Sequence, residues 1–343
     1  MTDPTPDLGV YAVIDLMTGY QQAALLTAAA RVGVFDALLA GPLSAAEVTA
    51  TLGTDPATTL ALLDSLAGLG LLGADGAASE RRYATTPSAT RLASGGDLRL
   101  VAEKEAFFAG VWQSLETTVR TGERQIASWR SRLAGDPAQS LNFLRALVVL
   151  GRETGPDLTR LPGIRTGARV ADLGGGLGAY AVPLASAGAD VTLVDLPQVC
   201  AWAEAELADL DAAVRDRITL APVDLAEAGA AEVLGEDGFD VVLLSHLMHE
   251  GDDAEAAALL EVATAIVRPG GTVVVFELPG DPAPGVGTMA AFGPMFDLMM
   301  RIETGSRARR FAEFEALLAG AGLVDVRRLE FALPAGVVAG TRP

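Results

Sequence analysis

The chain of 343 residues has few of the residues on which disulfide scaffolds and membrane spans depend. It contains one cysteine, Cys200, which excludes a disulfide within the chain and favours a reducing, cytoplasmic setting. Its apolar runs fall short of the roughly 18 residues that a membrane span needs, so we expect no membrane partner. No basic and apolar pattern typical of a signal peptide opens the sequence, which agrees with that expectation.

Positive charge is also scarce. Lys and Arg number 25 against 44 Asp and Glu, which gives a formal net charge of −19. Such a surface repels phosphate backbones and anionic lipid, so we expect no nucleic-acid partner. Aromatic residues make up only 5% of the chain, and aliphatic side chains must therefore supply most of the core.

Residues 1–96 have the pattern of a winged-helix domain. After a polar segment, residues 1–7, that is expected to fray, apolar residues recur at helical spacing over residues 8–40. A capping-box pattern at residues 44–47 starts one helix, and Pro56 lies in the first turn of the next. Short strands follow, and helix, helix, hairpin is the winged-helix order.

A winged helix suggests a DNA-binding protein, which needs Arg or Lys on its recognition helix. The second helix, over residues 56–64, has neither. We therefore interpret this part as a dimerisation domain that joins two copies of the chain through apolar N-terminal helices.

The next segment, residues 97–156, is predicted to be helical and to connect the two domains. It contains Phe107, Trp112 and Phe143. These aromatic residues fit an ordinary core, but their concentration in an aromatic-poor chain also favours an apolar wall around a substrate.

Strands and helices alternate from residue 157 to the end, which predicts an α/β fold. Near-continuous Val and Leu runs indicate parallel strands buried on both faces. The last two strands are joined by about four residues and must pair antiparallel. A turn at residues 268–271 is predicted to lead into the fifth strand. The predicted strands are residues 170–173, 191–195, 218–223, 241–244, 272–276, 324–331 and 336–340.

A glycine-rich turn within residues 170–178 follows the first of these strands and is typical of nucleotide binding. Its glycines also match the dinucleotide fingerprint, and Asp195 lies where it could hold a ribose. Two features argue against the binding of a dinucleotide. Asp172 immediately precedes the glycines, so its carboxylate would repel a pyrophosphate and attract an ammonium group. The antiparallel terminal hairpin is not expected of a six-stranded parallel dinucleotide sheet.

On these residues the chain resembles the two-domain small-molecule O-methyltransferases that use S-adenosylmethionine (SAM), both the plant caffeic-acid type and the bacterial natural-product tailoring type. The resemblance covers nearly the whole chain. It implies a Rossmann-like class I methyltransferase sheet, a homodimer, SAM as cofactor and a small-molecule acceptor. The acceptor would be a hydroxyl of an aromatic or polyketide-like secondary metabolite. The matching stretches are residues 170–178, 195–199, 223–224, 240–249, 268–271 and 305–322.

The resemblance also implies which residues hold the cofactor. The glycine turn, beside Asp172, would face the methionine part of SAM. Asp195 would accept hydrogen bonds from the ribose, and the Asp224 carboxylate would reach the adenine amino group. The implied cofactor-binding residues are Asp172, Gly174, Gly176, Asp195, Leu196, Asp224, Leu225 and Ser245.

Methylation of a hydroxyl requires removal of its proton, and a neutral imidazole is a suitable base for a phenol. The two histidines, His246 and His249, directly follow the fourth strand, at the edge where α/β sheets bind ligands. By resemblance His249 is the general base, and Glu277 is one of two carboxylates that steady it. The implied substrate contacts are Phe107, Trp112, Phe143, Leu147, Met248, Met295 and Met299.

The sequence departs from the family at this site. Ala308 stands where the second carboxylate is expected, and Glu250-Gly251 follow the base where Asp and Trp are usual. His249 is then expected to be held less firmly, or by another acid such as Asp252 or Asp253. N- or C-methylation, a SAM-binding tailoring enzyme that transfers no methyl group, and a winged-helix regulator with a vestigial SAM domain stay open as alternatives.

His246, His249 and the acids that follow them also have the spacing of a possible metal cluster. Acids at the start of a helix are, however, common capping groups. We therefore predict no metal site.

Overall fold

The computed structural model describes residues 9–77, 80–236, 238–285, 287–331 and 334–343. The segment predicted to fray, residues 1–7, lies outside them. The chain divides into two compact units, Met1–Ala109 and Gly110–Pro343. The domain limits predicted near residues 96 and 156 stay predictions.

The first unit is mostly helical and has a small antiparallel sheet in which β3 pairs with both β1 and β2. Its elements in chain order are α1 (Gly9–Thr18), α2 (Tyr20–Val32), α3 (Val34–Ala37), β1 (Leu43–Ser44), α4 (Ala45–Leu52), α5 (Pro56–Gly68), β2 (Leu72–Asp75), β3 (Arg82–Thr85) and α6 (Pro87–Thr90); α7 (Asp97–Trp112) runs across the unit boundary.

Local capping explains where the helices of this unit start. The predicted capping box is confirmed: the Ser44 amide donates to Glu47 Oε2 at 2.7 Å, and the Glu47 amide donates to Ser44 Oγ at 3.3 Å. Asp55 caps α5 by accepting the Thr58 amide at 2.8 Å. The order of helices and strands matches the predicted winged helix.

Helix α1 leaves large apolar side chains in solvent when the chain is considered alone. Val10, Tyr11, Leu16 and Met17 are each at least 70% exposed. A contiguous apolar face of this kind is typical of a surface that another protein covers.

The second unit carries the large sheet. Its elements are α8 (Leu115–Thr121), α9 (Trp129–Gly135), α10 (Pro137–Leu158), β4 (Arg169–Leu173), α11 (Ala181–Ser186), β5 (Asp190–Asp195), α12 (Pro197–Leu207), α13 (Ala212–Arg215), β6 (Ile218–Pro222), α14 (Ala230–Leu234), β7 (Phe239–Ser245), α15 (Asp253–Ile266), β8 (Val267–Glu277), α16 (Thr288–Glu303), α17 (Phe311–Gly320), β9 (Val324–Leu329) and β10 (Gly336–Thr341). A 3₁₀ turn, Met248–Glu250, follows β7.

Within the described residues the seven strands of this sheet run in the order β6-β5-β4-β7-β8-β10-β9. Strands β4 to β8 pair in parallel, whereas β10 pairs antiparallel with both β8 and β9. The prediction of a parallel sheet with an antiparallel terminal hairpin is confirmed. Alternate residues of the central strands enter two separate cores, for example Val170 on one face and Ala171 on the other, and this double burial explains their uninterrupted apolar sequences.

The prediction of a turn at residues 268–271 is wrong, because these residues lie within β8 as an irregularity in its pairing with β7. Phe239 pairs with Val267 and Val241 pairs with Thr272, so the intervening segment bulges from the ladder. A Cβ at Gly271 would lie 2.9 Å from the Asp240 carbonyl oxygen, which explains why glycine occupies the bulge.

Helix α10 packs against the first loop and helix of the sheet through two glycines one turn apart. A Cβ at Gly151 would lie 2.8 Å from the Ala179 Cβ, and one at Gly155 would lie 2.8 Å from Pro183 Cγ. The close approach therefore depends on the missing side chains. No helix in the described ranges has both the length and the apolar character to cross a membrane.

Candidate active site

The carboxyl ends of the parallel strands bring the predicted polar residues to one edge of the sheet. Asp172 is the second-last residue of β4. Asp195, Ser245 and Glu277 are the last residues of β5, β7 and β8. His249 follows β7 in the 3₁₀ turn. The edge of the sheet is thus the candidate site, as expected for an open α/β sheet.

The glycine turn after β4 is fixed by hydrogen bonds to β5. The amides of Gly174 and Gly175 donate to the Val194 carbonyl, at 2.8 and 3.2 Å. Gly174 has a φ of +70°, and a Cβ there would lie 2.9 Å from Leu247 Cδ1. A larger residue would strain the backbone and fill the turn.

Asp172 is fully buried, and neither carboxylate oxygen has a hydrogen-bond partner among the described residues. Burial, with a smaller contribution from the charge of Asp195, raises the pKa of Asp172 to about 7. The Ser245 hydroxyl is likewise buried and unpaired in the part of the chain that the structure describes. Unpaired buried polar groups are costly, so both groups are expected to have an external partner.

Asp195 has a different environment, because two backbone amides hold its carboxylate. Gly176 N donates to one oxygen at 2.9 Å and Leu196 N to the other at 2.7 Å. Burial raises the pKa of Asp195, although these amides and Arg130 oppose the shift. The carboxylate is therefore oriented at the end of β5 with lone pairs left to accept hydroxyl groups.

The Asp224 carboxylate forms a two-point ion pair with Arg130 of α9, with both N–O distances at 2.6 Å. Ala226 N donates to Asp224 Oδ1 as well. The hydrogen bond from Arg130 lowers the pKa of Asp224. Sequence analysis found Asp224 but missed Arg130, which lies 94 residues away in the chain. Leu225 is partly buried beside Asp224, against the core.

His249 is held by Glu277. The distance from His249 Nδ1 to Glu277 Oε2 is 2.7 Å, and Met248 N donates to the other carboxylate oxygen at 2.8 Å. Glu277 therefore uses both oxygens to fix the turn Met248–Glu250. With Nδ1–H donating to Glu277, Nε2 is the nitrogen that remains free to accept a proton.

The charges around His249 determine its pKa. Burial alone lowers it, but the charge and hydrogen bond of Glu277, with the charges of Glu250 and Glu303, outweigh burial and raise the pKa of His249 to about 9. The same ion pair lowers the pKa of Glu277 against its burial. The acid stays ionised next to the imidazole.

Arg309 holds the turn that carries His249. Its fully buried guanidinium donates to the carbonyl of Met248, to the Gly251 carbonyl at 3.1 Å and to Asp253 at 3.0 Å. Sequence analysis named the neighbouring Ala308 and missed Arg309.

The expectation that Asp252 or Asp253 steadies His249 is wrong. Asp252 caps α15 through the amides of Ala254 and Glu255, and Asp253 pairs with Arg307 and Arg309. Both carboxylates are engaged at the helix start, where acids stabilise the exposed amides.

His246 adopts a left-handed backbone conformation, with a φ of +49°, that is uncommon for a residue other than glycine. Its ring lies among aromatic neighbours, 4.8 Å from the Phe276 ring and 5.9 Å from the Tyr180 ring. Burial lowers the pKa of His246 to about 4, so it is neutral at physiological pH. Such strain is frequent at functional sites.

One ligand-type atom from each of His246, His249 and Glu277 lies within 4.8 Å of the others. Glu277 already bonds His249 and the Met248 amide, so a metal would have to displace an existing hydrogen bond. The absence of a metal site stays a prediction.

Aromatic residues of α16 lie beside His249, and α16 is joined to α9 by an ion pair. The Phe296 ring meets the His249 ring edge-on at 5.3 Å, and Phe292 stacks parallel to Phe296 one turn earlier. Neither phenylalanine was predicted from the sequence. The signal that could have found them is helical spacing, because positions 292, 296 and 303 lie on one face of α16. Glu303 on that face pairs with Arg132 of α9 at 2.5 Å.

The residues predicted to contact the acceptor have different surroundings in the structure. Phe143 packs at 5.6 Å against Trp129, and Leu147 on the same helix is 37% exposed. Phe107 packs edge-on against Phe108 in the first unit. Together with Trp112, Met295 and Met299, these residues stay predicted contacts.

The role of Met248 as a wall of the acceptor pocket stays a prediction. Its side chain is completely buried in the core under β7 and α15. Successive side chains of a 3₁₀ turn point in different directions, so Met248 enters the core while His249 faces the site.

A parallel sheet closed by an antiparallel hairpin, with buried acids and a histidine at its carboxyl edge, is the architecture of a class I methyltransferase unit. The comparisons agree. A family model described as the O-methyltransferase domain matches residues 112–324, and one described as the O-methyltransferase dimerisation domain matches residues 14–95. The chain belongs to the family of SAM-dependent O-methyltransferases.

Individual relatives cover nearly the whole chain. Acetylserotonin O-methyltransferase of Mus musculus is 30% identical over 335 residues, which cover 92% of this chain and 84% of the relative. The 3-hydroxy-5-methyl-1-naphthoate 3-O-methyltransferase of Streptomyces sahachiroi is 30% identical over 344 residues, 96% of this chain and 94% of the relative. The solved structure of human N-acetylserotonin methyltransferase with SAM shares the fold, with a TM-score of 0.81, 23% identity and coverage of 99% of both chains.

SAM is the cofactor of this family, and the polar groups at the edge of the sheet fit it. The unpaired Asp172 carboxylate suits an ammonium group, and the Asp195 carboxylate suits a ribose diol. A Cβ at Gly174 would collide with Leu247, so the turn presents backbone and no side chain at this position.

Proposed function

We propose that this enzyme methylates a hydroxyl group of an aromatic or polyketide-like small molecule, with His249 as the general base. The observation that carries the proposal is the 2.7 Å contact between His249 Nδ1 and Glu277, because it directs Nε2 away from its partner acid and leaves it free. The relatives named for naphthoate and acetylserotonin methylation support an aromatic acceptor.

The roles of the residues follow from their contacts. Asp172 would hold an ammonium group, Asp195 would hold hydroxyls, and Asp224 would be available to an amino group once Arg130 moves aside. When bound, SAM supplies a methyl group on a positively charged sulfur, which needs no further activation. The protein must orient the acceptor and take its proton.

Proton transfer is the step that His249 performs. Its Nε2 accepts the hydroxyl proton, and the ionised Glu277 at Nδ1 stabilises the imidazolium that forms. Phe296 limits the movement of the ring by an edge-on contact. Arg309 fixes the backbone on either side of the base.

Replacement of His249 by Gln tests the proposal. We expect methyl transfer to a phenolic acceptor to fall roughly 100- to 10,000-fold. Calorimetric binding of S-adenosylhomocysteine should change little, since the variant keeps the cofactor residues. An unchanged rate would remove the base assignment, and NMR detection of the new methyl on nitrogen or carbon would refute O-methylation.

We also propose that two copies of the chain associate through α1 and its neighbours. The exposed apolar face of α1 and the match to the dimerisation-domain model support this. Substitution of Leu16 and Met17 by Lys should convert a dimer into a monomer in light-scattering measurements of mass. A wild-type mass equal to one chain would contradict the proposal.

A further inference from the structure

Arg132 of α9 has a nearly buried guanidinium whose hydrogen bonds the described residues satisfy only in part. Its side chain is 13% exposed, and Nη2 donates to Glu303 Oε1. Nε is buried and has no hydrogen-bond partner in the part of the chain that the structure describes. An arginine carries five N–H donors, and a buried donor without a partner is costly. The mechanism described above does not use this cation.

Arg309 shows how the same chain holds a buried arginine that has a structural role. Each of its three side-chain nitrogens donates, to Asp253, to the Met248 carbonyl and to the Gly251 carbonyl. The protein itself therefore satisfies this guanidinium. Arg132 instead keeps donors free, which is the expected state of a group that bonds a ligand.

Two aromatic rings hold the guanidinium of Arg132 without using its hydrogen bonds. Its Cζ lies 5.5 Å from the centre of the Trp129 ring and 5.8 Å from that of the Phe143 ring. Contacts of this kind engage the flat face of a guanidinium and leave the N–H groups at its edge. Phe143 is also predicted to contact the acceptor, so the free donors lie at that predicted wall.

Helix α16 connects this cation with the base. Phe296 meets the His249 ring, and Glu303 on the same face of the helix holds Arg132. The helix rises about 10 Å from Phe296 to Glu303. The guanidinium can therefore contact a part of the acceptor that is distant from the hydroxyl at His249.

The charges near the base decide which group of the acceptor suits Arg132. Glu303 neutralises the guanidinium, and Glu277 and Glu250 add two carboxylates at His249. A carboxylate on the acceptor would meet an excess of negative charge. A carbonyl oxygen has no net charge and accepts up to two hydrogen bonds, so it fits the spare N–H donors without that repulsion.

We propose that Arg132 selects acceptors that carry a carbonyl oxygen, the class of hydroxylated aryl ketones and quinones, over acceptors with a carboxylate or a hydrocarbon group at the same position. The inference rests on the proposed function and names its acceptor class. The hydrogen bond orients the acceptor and increases its affinity. It takes no part in the transfer of the methyl group or of the proton.

The test uses the full-length enzyme and three substituents of similar shape: acetyl, isopropyl and carboxylate. Each is attached to phenol and to 2-naphthol, so that two distances from the hydroxyl are sampled. Binding to the enzyme saturated with S-adenosylhomocysteine is measured by calorimetry, and methylation is measured with SAM. On at least one scaffold we expect the acetyl compound to bind roughly 10- to 100-fold more tightly than the isopropyl compound, the effect of one hydrogen bond to a charged group. The carboxylate compound should bind more weakly than the acetyl compound.

The double substitution Arg132→Leu with Glu303→Leu removes the cation together with its partner, so that no buried charge is left unpaired. The ratio of the two dissociation constants, isopropyl over acetyl, should fall by the same factor of roughly 10 to 100. A ratio within one enzyme is not altered by a general loss of stability. Arg145→Leu with Glu206→Leu removes an ion pair between α10 and α12, and this matched control should keep the preference.

Equal affinity of the acetyl and isopropyl compounds on both scaffolds, including failure of all of them to bind at millimolar concentration, would overturn the assignment. Tightest binding of the carboxylate compounds would do the same, as would an acetyl preference that the double variant retains. O-methylation of the panel without an acetyl preference would contradict the role of Arg132 and leave the proposed function intact. Absence of methyl transfer to any hydroxyl would contradict that function itself.

Discussion

Two buried carboxylates lie at the same edge of the sheet with opposite environments. Glu277, at the end of β8, bonds the Met248 amide and the His249 ring, and its pKa is lowered. Asp172, near the end of β4, has no hydrogen-bond partner among the described residues, and its pKa rises to about 7. The first acid is satisfied by the protein and organises it, while the second is left for a ligand.

The difference explains which side of the site is rigid before ligands bind. The turn that carries His249 is fixed by internal hydrogen bonds from Glu277 and Arg309. On the cofactor side the protein retains an uncompensated buried polar group, which costs stability until a cation is present. Substitutions of the two acids should therefore have opposite consequences.

The largest expected effect is on catalysis by Glu277→Gln. Loss of the charge that holds the Nδ1 proton should lower kcat roughly 100- to 1,000-fold, because the base loses its orientation and its imidazolium loses its counterion. The affinity for S-adenosylhomocysteine, measured by calorimetry, should change little. The melting temperature should fall, since an organising ion pair is broken. A variant with normal kcat would show that the pair is only structural.

Asp172→Asn should have the opposite pair of effects: weaker cofactor binding, but a more stable protein without ligand. We expect SAM to bind roughly 10- to 100-fold more weakly, as a charged hydrogen bond is lost. The protein without ligand should gain on the order of 3 kcal/mol at pH 8, because the amide carries no charge whereas the buried carboxylate must ionise there.

The pH dependence of that gain has a defined sign. The pKa of Asp172 in the folded protein, about 7, lies above its ordinary value of 3.8. Ionisation of this carboxyl therefore lowers the stability of the folded wild type. The loss is absent below pH 4, grows as the pH rises and is complete above pH 7. Thermal unfolding between pH 5 and pH 8 measures it. Asp240→Asn is the control at the opposite end of the sheet, because Asp240 is paired with Arg165 and Arg268 and its loss should only destabilise. A Tm for Asp172→Asn below that of the wild type throughout this range would break the contrast.

A third effect concerns the pH profile of the reaction. Only neutral His249 can accept a proton, and its pKa is raised to about 9, so kcat/KM should increase about tenfold per pH unit up to that region. Glu277→Gln removes the main charge that raises the pKa and should move this limb to lower pH. A profile that is flat between pH 7 and pH 9 in the wild type would argue against His249 as the base.

The smallest expected effect belongs to Arg130→Ala. Arg130 is 55% exposed in its pair with Asp224, and such pairs contribute about 1 kcal/mol at most. Freeing Asp224 should strengthen SAM binding by no more than about fivefold in calorimetry. Arg145→Ala breaks a pair of similar exposure with Glu206 and should leave binding unchanged. Weaker binding in Arg130→Ala would mean that the arginine itself contacts the cofactor.

Much of the fold could be predicted because it depends on local pattern. Successive residues of β8 alternate between two cores, with Val273 in one and Val274 in the other, and the short connection from β9 to β10 left only antiparallel pairing. The bulge at residues 268–271 was missed, since a proline and two glycines are equally typical of a turn.

The positions of the candidate site residues were predictable where those residues lie at the carboxyl ends of strands, as with Asp172, Asp195 and Glu277. It was not predictable where contacts join distant helices. The pair of Arg132 with Glu303 spans 171 residues, and nothing local indicates that α9 and α16 meet. The direction of Met248 depends on the 3₁₀ turn, which apolar spacing does not reveal.

The two glycines of α10 have a consequence for how such a pocket diversifies. Gly151 and Gly155 seat the helix against the segment that follows the cofactor turn, with no space for even a methyl group. A mutation that shifted α10 would therefore also disturb the segment after the glycine turn, so the position of the helix and the shape of that turn are coupled. Among the described residues no glycine contact of this kind joins α16 to the turn after β4, and laboratory evolution of acceptor range is therefore best directed to α16.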